Sequence, residues 1–198
     1  MTTDTQTPPI RFAHFGVNCF DMKKMEEFYK QAFGLVETDR GYVPHIDLNL
    51  VFLTLDPKEH HQIVLSSGRK EGEIVKDAFI GGGAGSAINQ ISFVLRDLEQ
   101  MRKVAARFAE FGITNGSAIN HGIAWALYIR DIEGNPIELY VNTPWYIPQP
   151  CAEMLDLGLS DKEIYELTEK MCLSSEGYEP MAQWQERIAQ KLAVQLEA

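Results

Sequence analysis

A chain of 198 residues, 45% hydrophobic and 23% charged, has the size and make-up of one compact globular domain or two closely fused half-domains. Its formal net charge of −10 argues against a nucleic-acid partner, because phosphate recognition needs a basic stripe. No apolar run reaches transmembrane length, Met1 to Pro9 lacks a signal-peptide core, and Cys19, Cys151 and Cys172 form no CxxC, so a cytoplasmic protein with free thiols and no membrane partner is expected.

Residues 1–9 read as a disordered tail. Residues 10–18 alternate, with Phe15 and Val17 facing one way and His14 and Gly16 the other. Asp21 then stands as the N-cap of a helix over 22–33, whose Met22, Met25, Phe28 and Ala32 form an apolar stripe. Strands at Asp47 to Leu55 and His61 to Leu65 are joined by a turn at Asp56-Pro57. Residues 66–87 are a connector rich in Lys, Glu and Gly. The glycine run at 81–85 leads into a strand and opens no helix, so it reads as a flexible linker and not as a phosphate cradle.

The second half repeats the order. Strand 88–95 places Ile91, Phe93 and Leu95 on one face and Gln90, Ser92 and Val94 on the other. Asp97 caps a helix bearing Met101, Val104, Ala105, Phe108 and Phe111, and strands at 124–129 and 137–141 flank the turn from Asp131 to Pro136. Residues 144–150 break regular structure. Helices are expected at 160–172, opened by the Ser160/Glu163 capping box, and at 181–197, with Trp184, Ile188, Leu192 and Leu196 at intervals of four. These would pack across the core or a partner subunit.

The chain is thus written twice: strand, Asp, helix, a Gly-hydrophobic step (Gly34-Leu35, Gly112-Ile113), then strands. His14 and Gln90 each stand seven residues before their Asp. The duplication predicts an α+β fold with two tandem βαβββ modules, 10–65 and 88–145, forming a cupped, partly open barrel, plus a helical C-terminal extension at 146–198.

Alternation places His14, Gln90 and Glu138 on the cavity face. A carboxylate between Ile137 and Leu139 must find donors or a cation. One imidazole, one carboxylate and one amide oxygen make a divalent-metal site. Two His and one carboxylate would be the non-haem Fe(II) set, and Gln90 stands where the second His is needed. The alternative is that the three hydrogen-bond one another or water. His61 shares the cavity face by parity, whereas His60 should point outward as a solvated turn residue. His121 falls at a barrel mouth, and Tyr128 lies ten residues before Glu138 on the same face.

The paired units carry His-Phe-Gly-Val at 14–17, Glu-His-His-Gln-Ile-Val-Leu at 59–65 and Asn-His-Gly at 120–122. With Tyr-Ile-Arg-Asp-Ile-Glu-Gly-Asn-Pro-Ile-Glu-Leu-Tyr at 128–140, they resemble the vicinal oxygen chelate superfamily of glyoxalases, bleomycin resistance proteins and extradiol dioxygenases. Over about residues 10–145 the chain is most similar to single-domain type I extradiol dioxygenases acting on catechols such as biphenyl-2,3-diol. That resemblance implies metal ligands at His14, Gln90 and Glu138, an acid-base role for His61, and substrate contacts from His121 and Tyr128. It implies Fe(II), with Mn, Zn or Ni as alternatives, and a small catechol-like aromatic substrate with O2, in aromatic compound catabolism. A homodimer or higher oligomer is expected. Gln90 departs from the dioxygenase pattern, although Gln is a metal ligand in some glyoxalase I members. Three readings follow: ring cleavage, a glyoxalase-like metal-dependent isomerase or lyase, and a metal-free binder of a small aromatic ligand.

Overall fold

The computed structural model describes residues 12–71 and 90–197. The expected tail at 1–9, the glycine run at 81–85, most of the 66–87 connector and the start of strand 88–95 lie outside the described residues. The chain divides into two compact units, one built from Ala13–Ser117 with Leu127–Leu139, the other from Ala118–Ala126 and the chain beyond Tyr140. No described helix is long and apolar enough to cross a membrane.

The first module runs β1 (Phe15–Cys19), α1 (Met22–Phe33), β2 (Val36–Val43), a short 3-10 turn (Pro44–Ile46), β3 (Leu48–Thr54) and β4 (Ile63–Ser67). Its sheet has the order β1-β4-β3-β2, with β1 parallel to β4 and the other pairs antiparallel. A parallel pair needs a crossover, which α1 and the β2–β3 hairpin provide. The second module runs β5 (Ile91–Leu95), α2 (Leu98–Glu110), β6 (Ser117–Asn120), β7 (Ala124–Arg130) and β8 (Pro136–Asn142). Its pairing order, β5-β8-β7-β6, repeats that of the first. The expected duplication is therefore present in strand pairing as well as in sequence.

Both helices start where the caps predict. The Asp21 carboxylate accepts from Lys24 N at 3.1 Å, and that of Asp97 from Gln100 N at 2.7 Å. Gly34 ends α1 in the left-handed region, φ 77°, which glycine enters without steric cost. The stripes bury Met25, Phe28, Tyr29 and Ala32 on α1, and Leu98, Met101, Val104 and Phe108 on α2. Phe28 meets Phe108 edge-on at 5.0 Å, and Phe33 stacks on Phe93 at 4.3 Å. Each such pair adds about 0.5–1.5 kcal/mol to simple burial.

Two strands of the βαβββ pattern carry no apolar alternation. β2 is an edge strand that carries the charged Glu37, Asp39 and Arg40, a composition that disfavours edge-to-edge pairing, and it has a bulge between Glu37 and Asp39. β6 is only four residues long.

A buried polar clasp ties the β7–β8 turn to the first module. Glu133 accepts from Phe20 N at 3.0 and 2.9 Å and from Asp21 N at 2.7 Å, just past the end of β1. Arg69, just past β4, lies 3.7 Å from the Glu133 carboxylate and donates to Glu133 O at 3.2 Å and Asn135 Oδ1 at 3.0 Å. Beside them Asp131 accepts from Glu133 N and Asn135 N, both at 2.9 Å, from Asn135 Nδ2 at 2.7 Å and from the Tyr29 hydroxyl at 3.1 Å. Burial pushes the Asp131 carboxyl up to about 6, and these donors pull against it.

The second unit holds the C-terminal extension, with β9 (Trp145–Tyr146), β10 (Glu153–Met154), α3 (Asp161–Leu173), β11 (Glu179–Pro180) and α4 (Met181–Glu197). The capping box at Ser160 and Glu163 forms as expected. Residues 144–150 are not wholly irregular: β9 pairs with β11, and β10 covers the β6 edge. Tyr146 stacks on Trp184 at 5.3 Å and anchors α4, whereas Leu192 of the expected stripe stays 55% exposed; the Leu196 side chain lies outside the description.

Thr168 knots α3 to the strands. Its hydroxyl accepts from Asn120 Nδ2 and from Trp125 Nε1, both at 2.8 Å, and donates to Ile164 O at 2.8 Å, all buried. Thr168→Val keeps the shape but leaves two buried donors unmatched, at about 1–3 kcal/mol each. A loss of about 2–4 kcal/mol in urea unfolding is expected, whereas Thr168→Ser should stay within about 1 kcal/mol. Equal losses in both variants would refute a role for the hydroxyl.

Candidate functional site

Glu138 on β8 is the centre of the polar face. It is only 9% exposed, and its carboxylate takes three neutral donors. Gln90 Nε2 donates to Oε2 at 2.7 Å, Ser92 Oγ to Oε2 at 2.5 Å, and the Tyr128 hydroxyl to Oε1 at 2.7 Å. Among the described residues, these donors include no Lys, Arg or His. Period-two geometry explains the convergence: Gln90 and Ser92 share one face of the β5 strand line, and Tyr128 and Glu138 lie on the same face of the neighbouring β7 and β8. Burial, then the hydrogen bond and charge of Glu138, push the Tyr128 hydroxyl up, so it keeps its proton and acts as a donor. Ser92 was legible on the Gln90 face, but nothing in the strand pattern marked it as a partner of Glu138.

A second cluster gathers around His61. The His14 ring lies 4.0 Å from it and Phe52 meets it edge-on at 4.9 Å. His60 is exposed, yet it is more than a solvated turn residue: its Nδ1 lies 2.9 Å from that of His61, so one ring donates to the other. Only one proton fits on that line. Burial, then the neighbouring His14 and His60, hold His61 below the usual histidine range, which leaves it neutral near pH 7.

His121 belongs to the second unit. Its Nδ1 lies 2.5 Å from Cys151 O, and its backbone carbonyl accepts from Gln149 Nε2 at 2.9 Å. The sequence pattern singled out the histidine but not the C-terminal groups that hold it.

Among the described residues, no group of three or more His, Cys, Asp or Glu is placed to hold a metal ion. The expected set depends instead on an amide as third donor beside His14 and Glu138. An imidazole, a carboxylate and an amide oxygen are donor types that suit a divalent cation, and among the described residues the buried Glu138 carboxylate has only neutral donors around it. Gln90, however, turns its N–H toward Glu138; a half-turn about the last side-chain bond would present Oε1 in its place.

Residues 11–139, more than half of the chain, match the family model of the Glyoxalase/Bleomycin resistance protein/Dioxygenase superfamily. The chain belongs to that superfamily. It is 27% identical over 138 residues to biphenyl-2,3-diol 1,2-dioxygenase 3 of Rhodococcus globerulus, covering 70% of this chain and 65% of that protein. The chain therefore spans about two thirds of that relative's length. Among solved structures, a glyoxylase/bleomycin resistance protein/dioxygenase domain from Frankia sp. EAN1pec is similar with a TM-score of 0.54 at 18% identity, over 68% of this chain and 99% of that one. That likeness shows the superfamily fold. A fosfomycin resistance protein FosX from Listeria monocytogenes, solved with Mn(II) and sulfate, is similar at 15% identity and a TM-score of 0.47, over 66% of this chain and 89% of that one.

Proposed function

We propose that this superfamily member is an extradiol-dioxygenase-like enzyme that cleaves a catecholic aromatic with Fe(II) and O2, the metal held by His14, Glu138 and the Gln90 amide oxygen. The observation that carries the reading is the buried Glu138 carboxylate, which among the described residues gathers neutral donors and no basic side chain. The likeness to a biphenyl-2,3-diol dioxygenase supports the substrate class. Bound there, Fe(II) would polarise the two vicinal oxygens of a catechol and supply the redox chemistry that dioxygen requires. His61, neutral near pH 7, would accept a proton from the substrate hydroxyl. Tyr128, which keeps its proton, would donate to developing negative charge. His121 would contact substrate.

A second reading, a metal-free binder of a small aromatic ligand, is favoured by one observation. Gln90 Nε2 already donates to Glu138, which occupies the carboxylate without a cation.

Anaerobic Fe(II) titration of the wild-type protein and Gln90→His tests the proposal. Gln90→His completes two His and one carboxylate, so its affinity should rise at least about tenfold, equivalent to about 1.4 kcal/mol. Cleavage of 2,3-dihydroxybiphenyl, followed by its yellow ring-opened product, should appear or rise. If both proteins stay metal-free, the dioxygenase reading gives way to the binder. Metal uptake with no ring opening in either protein would point to isomerase or lyase chemistry.

A further inference from the structure

The C-terminal extension grips Asn120-His121-Gly122 from several sides. Gln149 Nε2 donates to His121 O at 2.9 Å, and Gln149 Oε1 accepts from Cys151 N at 3.2 Å. The same residue therefore fixes both the backbone of His121 and the backbone of Cys151. Thr143 Oγ1 donates to Gly122 O, and Asn120 is held by Thr168 of α3. Gly122 sits at φ 74°, and a Cβ there would run into Ile147 and Cys172, so the extension closes tightly over the turn. Into this frame Cys151 O reaches His121 Nδ1 at 2.5 Å.

A carbonyl oxygen only accepts, so Nδ1 must carry the proton on that line. A neutral imidazole has one N–H, and Nε2 is then its lone-pair atom. We infer that the 149–151 segment is a positioning element that locks His121 in its Nδ1–H form and makes Nε2 its proton-accepting atom. A neutral histidine side chain free in water favours the opposite form. Any partner of Nε2 must therefore be a hydrogen-bond donor, such as a phenolic or alcoholic hydroxyl, and not a carbonyl or an ionised oxygen. The segment lies beyond the 11–139 family match, in the C-terminal extension. The inference holds under either functional reading, because it concerns the ring and its support.

The test reads the tautomer directly. The whole 198-residue chain carrying nitrogen-15 histidine gives long-range proton–nitrogen spectra of its five rings, recorded at mildly alkaline pH. The His121 signals are assigned by their loss in His121→Gln. The wild-type ring should show the Nδ1–H pattern. Gln149→Ala, which removes the two bonds by which Gln149 bridges the backbones of His121 and Cys151, should shift the ring toward the Nε2–H pattern, with the other four rings unchanged. A merely structural role for Gln149 would lower thermal stability and leave the tautomer alone. An Nε2–H or evenly mixed pattern in the wild-type protein overturns the lock, whether or not the variant folds. A wild-type Nδ1–H pattern that survives Gln149→Ala overturns the role given to the segment.

Discussion

Glu133→Ala should destabilise the protein by about 3–5 kcal/mol, the range for breaking a buried ion pair from one side. The substitution takes the acceptor from Phe20 N and Asp21 N and leaves Arg69, itself largely buried, without its carboxylate. Arg69 keeps its bonds to Glu133 O and Asn135 Oδ1, which holds the loss below that of an isolated buried charge. Glu133→Gln retains an acceptor and should lose less. The clasp grips the chain just past β1 and β4, the two strands that follow His14 and His61. Slackening it should therefore disturb the tilted His14–His61 ring pair as well as lower the urea midpoint. A loss under about 1 kcal/mol would show that other contacts hold the junction.

Glu138→Gln should lower Fe(II) affinity by at least about 100-fold, or about 2.8 kcal/mol, because it removes the only charged donor of the proposed set. The fold should suffer little. The Ser92 hydroxyl can rotate and the Gln90 amide can turn, so both can become acceptors toward the new amide, and a buried charge disappears. Unfolding free energy should change by less than about 1 kcal/mol, which separates loss of a ligand from loss of the fold. Unchanged Fe(II) affinity in the variant would remove Glu138 from the metal set. Catechol turnover should vanish with the metal, whereas a metal-free binder would keep its ligand within a few-fold.

Much of the architecture was legible in sequence because it rests on local properties. Helix starts followed from Asp21, Asp97 and Ser160, whose side chains meet orphan backbone N–H groups three residues on, whatever lies elsewhere in the chain. The buried faces of α1 and α2 followed from period 3.6, and the shared face of Gln90 and Ser92 from period two. The repeat of His14 by Gln90 announced two modules, and their strand orders agree.

What stayed hidden depends on neighbours distant in sequence. β2 and β6 have no apolar alternation, and only pairing to β3 and β7 makes them strands. Glu133 reads as an ordinary turn acid until folding carries it to the backbone of Phe20 and Asp21, more than a hundred residues away. His60 alternates away from His61 on paper, but the turn brings their ring nitrogens together. At the site itself, sequence placed Gln90, Tyr128 and Glu138 on one face, yet could not say which atom of the Gln90 amide would turn to the carboxylate. That is set by the last side-chain torsion, which the strand period leaves free. Only the neighbouring oxygen of Glu138, as an acceptor, decides it.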